Sequence, residues 1–194
     1  MKDLKTKILK ISYKKGSTHL TSCLTAVDII EEIFKVKKKD EKFVLSCGHA
    51  GLALYVVLGK GSKIFDHHGT HPDRCKKCKL DYSTGSLGHG IGGALGMALA
   101  NRSKNVYVLI SDGESNEGSV FEALRIKQDL SVNNLKVYCN INGTTALGKV
   151  NRRLLEKKLK LFCPDIKIYQ TDIKEWPWLK EIDAHYVKVE YENL

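Results

Sequence analysis

A chain of 194 residues is long enough to bury one α/β core, and 42% apolar with 28% charged residues is the composition of a folding polypeptide, too apolar for a disordered one. No apolar run reaches the roughly 18 residues of a bilayer span, and the charged opening MKDLKTKILK lacks the apolar stretch of a signal peptide, so a cytoplasmic location without a membrane partner is expected. The net charge of +10 raises nucleic acid as a partner, but the lysines gather at 35–39, 149–160 and the first fifteen positions with no interleaved aromatics and no nucleic-acid motif, which favours solvated faces and attraction of anionic substrates.

No repeat, low-complexity tract or Pro/Gly/Ser linker interrupts the chain, so one domain over residues 1–194 is expected. Leu24, Val27, Ile30, Ile33 and Phe34 fall at helical spacing between Thr21 and Val36, with Thr21 or Ser22 available as the N-cap. A short apolar strand, Phe43 to Ser46, is followed by Gly48-His49 and a second helical run, Ala50 to Leu58. Gly88, Gly92, Gly93 and Gly96 recur at helix-compatible spacing before Ala100, which would let that helix approach the sheet or a ligand. Val106 to Ser111 is a continuous β-branched and apolar run that ends in Asp112-Gly113, and a helix follows from about Ser119 to Leu130. The unit repeats at Leu135 to Ile141, which ends in Asn142-Gly143. Ile166 to Tyr169 and Tyr186 to Val189 are expected to add strands. Strands apolar on both faces and alternating with helices specify a three-layer α/β/α sandwich around a mostly parallel sheet.

In such sheets ligands bind beyond the carboxyl ends of the strands, where the connecting turns converge. Asp112 and Asn142 both occupy such turns and lie 30 residues apart, about one strand-helix-strand unit. An Asp carboxylate, an Asn carbonyl and the main-chain carbonyl of Thr144 would give Mg²⁺ (or Ca²⁺ or Mn²⁺) three oxygens, leaving places for two diphosphate oxygens and a water. Gly113 lets the backbone approach a phosphate, and the next helix offers unpaired N–H groups. Either dipeptide alone is an ordinary turn; the pair at this spacing is not.

The segment Ser111-Asp112-Gly113-Glu114 through Asn140-Ile141-Asn142-Gly143 resembles the thiamine diphosphate motif. Around it, Leu45 to Ala50, Thr70-His71-Pro72-Asp73, Ser83 to Gly90 and Asn116 to Ser119 resemble consecutive blocks of the transketolase N-terminal domain, in order, over roughly residues 16–150. The resemblance implies a thiamine diphosphate-binding fold and, position by position, pocket histidines at His19, His49 and His71. It also implies cofactor contacts at His49, Gly85, Ser86, Leu87, Gly113, Glu114, Glu117 and Asn142, with Leu87 bracing the aminopyrimidine ring. Glu117 and Glu122 would join an acidic network at a dimer interface, although both also suit stabilisation of a helix start. Ser111 replaces the family's usual first glycine, Asn140 stands where Asp is common, and His89 replaces a frequent Gln; none of these is a proposed metal ligand.

In the family, the glutamate that activates the cofactor lies in a separate pyrimidine-binding domain, and no second domain fits in 194 residues. The resemblance therefore implies a split enzyme whose partner carries the pyrimidine and C-terminal domains, in an α2β2 assembly acting on a sugar phosphate. Two rival readings are condensation or decarboxylation of a 2-oxo acid on the same cofactor, and a non-catalytic binding subunit built on the cofactor fold.

Cys23, Cys47, Cys139 and Cys163 sit in apolar contexts and read as core residues. Cys75 and Cys78 have zinc-ligand spacing, and His67 or His68 would add ligands; a redox pair and a plain solvated loop are the alternatives.

Overall fold

The computed structural model describes residues 2–146, 148–179 and 187–193. Strands β1 (Lys42–Leu45), β2 (Val106–Ser111), β3 (Leu135–Ile141) and β6 (Lys167–Gln170) form one parallel sheet in the order β1-β2-β3-β6. All six residues of β2 are buried, as a central strand covered on both faces must be. The short strands β4 (Thr144–Thr145) and β5 (Gly148–Lys149) pair antiparallel in a separate hairpin just after β3.

Alternation along the strands sorts the core into two layers. Phe43, Leu45, Tyr107, Leu109 and Tyr138 face helices α1 (Lys2–Lys15), α2 (Leu20–Val36), α3 (Gly51–Val57) and α4 (Gly61–His68). Val44, Val108, Ile110, Val137, Cys139 and Ile141 face α5 (His89–Ala100), α6 (Gly118–Asp129) and α7 (Arg152–Phe162). Sequential strands are sheet neighbours, so uniformly right-handed crossovers put α5, α6 and α7 on the same face. The N-terminal helices cover the other.

The expected α/β/α sandwich and its long elements are present, with local differences. Helix α2 starts at Leu20, and its cap is His19 in the left-handed region at φ 61°, making no side-chain cap bond. Thr21 and Ser22 are buried within the first turn instead, because this helix end packs into the core rather than facing water. In α5 the close approach belongs to Gly90, whose added Cβ would lie 2.7 Å from the Ser46 Cα. Gly92 and Gly96 face open space, and Gly93 backs onto Tyr82. Val187 to Glu190 form no strand, and Tyr186 lies outside the described residues.

Candidate functional site

The turns after β2 and β3 meet at the carboxyl end of the sheet. Register pairs Ser111 with Asn140, so the residues that follow, Asp112 and Asn142, leave adjacent strands in the same direction. The Gly143 N–H donates to Asp112 Oδ2 at 2.7 Å, a direct bond between the two turns, and the Gly113 N–H donates to Oδ1 at 3.0 Å. Gly143 sits at φ +89°, a conformation open to glycine, and this aims its N–H across the gap. Asn142 Oδ1 accepts from the Thr144 N–H at 3.0 Å, which fixes the amide beside the hairpin. Arg152, at the start of α7, donates through Nη2 to the Asn142 carbonyl. Spacing in the sequence gave no signal for this arginine, which arrives through the β3–α7 crossover.

Asp112 is 2% exposed, and burial pushes its carboxyl up to about 6, while the Gly143 and Gly113 N–H groups and the Arg152 charge pull the other way. Burial thus outweighs the Arg152 charge and the two N–H groups at this carboxylate. The carboxylate fits a hard divalent cation, and the Asn142 amide oxygen and the Thr144 carbonyl are the same class of donor.

Glu114 is the junction of the surrounding loops. It is fully buried; Oε1 accepts from the Ser46 hydroxyl at 2.6 Å and the Gly88 N–H at 3.0 Å, and Oε2 accepts from the Ser111 N–H at 3.3 Å. The resemblance implied a cofactor contact here, but this side chain has no surface to offer a ligand. Instead it ties the turn after β1, the start of α5 and the end of β2 together. Burial pushes it up to about 7. Asn140 does comparable work one strand over, donating from Nδ2 to Thr25 Oγ1 at 2.9 Å and accepting from the Thr171 hydroxyl at 2.6 Å.

The expected pocket histidines come from three loops. His19 and His49 are half-buried with ring centroids 5.5 Å apart, so the α1–α2 connection and the turn after β1 place them side by side. His71 is exposed, and its ring packs over Gly85, where an added Cβ would lie 3.6 Å from Cδ2. The Thr84 hydroxyl donates to the Leu45 carbonyl at 2.8 Å, which anchors the segment carrying Gly85, Ser86 and Leu87 to the end of β1. Leu87 is 38% exposed, a large apolar side chain open at this edge. Glu117 is exposed where α6 begins, and Glu122 is exposed and paired with Arg125 at 2.6 Å.

The four core cysteines are buried as expected, and burial raises all of their thiols, Cys23 and Cys163 to about 12. Of the two histidines beside Cys75 and Cys78, the fold selects His68; His67 lies outside the cluster. A cavity of about 810 Å³ lies elsewhere, lined by Lys37 to Lys42, Lys104 and Val106 at the amino ends of β1 and β2, away from the turns that carry Asp112 and Asn142.

The profile of a family described as transketolase, thiamine diphosphate binding domain, matches residues 13–165. Human transketolase is 33% identical over 200 aligned positions, covering 89% of this chain and 30% of the relative; a Rhodococcoides fascians protein, ferredoxin fas2, is 39% identical over 124, covering 56% and 41%. The chain thus spans under a third of the transketolase it matches. In structure it resembles a Pichia stipitis transketolase complexed with xylulose 5-phosphate, with a TM-score of 0.74 at 18% identity over 99% of this chain and 39% of that one. With the turns after β1, β2 and β3 at the carboxyl end of a parallel sheet and the profile covering most of its length, this chain belongs to the transketolase thiamine diphosphate-binding domain family.

Proposed function

We propose that this chain is the diphosphate-binding subunit of a two-polypeptide transketolase that moves a two-carbon ketol unit from a ketose, phosphorylated in the favoured case, to an aldehyde. The observation that carries this reading is the Gly143 N–H to Asp112 bond, which joins the two turns around one buried carboxylate. Asp112, the Asn142 amide oxygen and the Thr144 carbonyl would hold Mg²⁺, and the metal would hold the diphosphate. Thiamine diphosphate, when bound, supplies the electron sink needed to break a bond beside a carbonyl.

The chain's own residues then bind and orient. Gly113 leaves the backbone open to a phosphate, and Leu87 offers an apolar brace. His19, His49 and His71 would hold substrate hydroxyls and accept or return their protons. Glu114 and Asn140 act as positioning residues through the loops they join. The partner, carrying the pyrimidine and C-terminal domains, would complete the site in an α2β2 assembly in the cytoplasm.

Calorimetry with thiamine diphosphate and Mg²⁺, on the chain alone and with the partner, tests this, followed by turnover of xylulose 5-phosphate. Binding with turnover in the complex is expected; absence of binding in both settings refutes it. Asp112→Asn keeps the side-chain shape while removing the charge, so cofactor affinity is expected to fall by about 100-fold or more with the fold intact. Unchanged affinity would remove Asp112 from the metal site.

A further inference from the structure

The connection between α4 and α5 carries a second cluster that the diphosphate site does not use. A ring nitrogen of His68 and the sulfurs of Cys75 and Cys78 all lie within 4.8 Å of one another. Tetrahedral zinc with ordinary Zn–S and Zn–N lengths needs its ligand atoms about 3.5–3.8 Å apart, so a small inward movement closes the set. His68 Nε2 is buried and has no hydrogen-bond partner. A buried imidazole nitrogen left unpaired costs roughly 1–3 kcal/mol unless something not yet counted pairs with it.

The two thiols are presented by a built turn. Cys75 and Leu80 exchange both main-chain hydrogen bonds at 2.9 Å, and the Cys78 N–H donates to Cys75 Sγ at 3.1 Å, an arrangement that stabilises the thiolate a metal requires. Lys79, just after the second cysteine, is held in the left-handed region at φ 61°. A non-glycine residue persists there only where its surroundings over-determine it. Both cysteines are half-buried and free.

We propose that His68, Cys75 and Cys78 bind a zinc ion, with water at the fourth corner, and that this ion fastens the end of α4 to the 75–80 turn. Zinc suits two thiolates and an imidazole, and it has no redox chemistry of its own. The fastened segment includes His71 and leads into Gly85 to Leu87, so the ion would set the loop that borders the diphosphate site. That last consequence rests on the proposed function; the metal site does not.

The test is zinc content of the full chain purified without chelator, by plasma mass spectrometry, with titration of accessible thiols. One zinc per chain is expected, with Cys75 and Cys78 protected until a chelator is added. Cys78→Ser and His68→Ala should each lose it, and His67→Ala should keep it. Because a ligand variant can fail to fold, Co²⁺ substitution of the unaltered chain gives a second reading: intense visible bands and a sulfur-to-cobalt charge-transfer band are expected from a tetrahedral two-sulfur site. Zinc below one tenth per chain after incubation with excess Zn²⁺, or a Cys75–Cys78 disulfide in freshly prepared protein, overturns the proposal. Zinc retained alongside absent thiamine diphosphate binding would uphold this site and refute the transketolase reading.

Discussion

Replacing Glu114 by Gln separates the cost of burying a charge from the value of the bonds it makes. The carboxyl is pushed from its ordinary 4.5 up to about 7 by burial, against the pull of Ser46, Gly88 and Ser111. Its folded value lies above its unfolded value, so the native state holds a proton that the unfolded chain has lost, and stability falls as pH rises through that window. The full shift corresponds to about 3 kcal/mol at 1.36 kcal/mol per unit, most of which falls between pH 5 and pH 8. Glutamine keeps an acceptor at the Oε1 position for the two shorter bonds, and sets its NH₂ against the Ser111 N–H, whose bond is long at 3.3 Å. That loss is about 1 kcal/mol. Relative to the unaltered chain, the variant is therefore expected to be near parity at pH 5 and more stable by about 2 kcal/mol at pH 8. Urea unfolding followed by circular dichroism, without added Mg²⁺, measures both points. A stability difference that stays constant within about 0.5 kcal/mol across this range would refute the assignment of the penalty to Glu114.

Gly90→Ala drives a methyl group against the Ser46 backbone and is expected to cost about 1–3 kcal/mol, with a lower urea midpoint at unchanged slope. Gly92→Ala, where nothing lies within 4 Å, is expected to be neutral or to stabilise α5 by up to about 1 kcal/mol. Asn140→Ala strips the hydroxyls of Thr25 and Thr171 of a shared partner and is expected to cost about 1–3 kcal/mol, measured in the same assay. His71→Ala, at an exposed ring, is expected to leave stability and cofactor binding unchanged and to lower turnover of the complex by about 100-fold. An unchanged rate would remove His71 from the site.

What was readable in the sequence was whatever depends on local pattern. The run at Val106 to Ile110 is apolar on both faces and that at Leu135 to Ile141 is apolar at every second residue, Leu135, Val137, Cys139 and Ile141; they became the central strands, β2 ending one residue on at Ser111. Helices α1 and α7 gave no comparable signal. In α7 the eleven residues RRLLEKKLKLF bury little beyond Leu155 and Leu159, so its charged majority hides a narrow apolar stripe.

Spacing also placed Asp112 and Asn142 at neighbouring strand ends, because parallel strands joined by one crossover must bring their following turns to the same edge. Only the tertiary structure could assign Glu114 to the junction of three loops, choose Gly90 among the glycines of α5, add Arg152 to the Asn142 turn and choose His68 over its neighbour His67. Each of those choices depends on which side of a helix or turn faces a segment tens of residues away. Sequence spacing fixes the period of a helix but not its rotation against a distant surface, and packing alone decides that rotation.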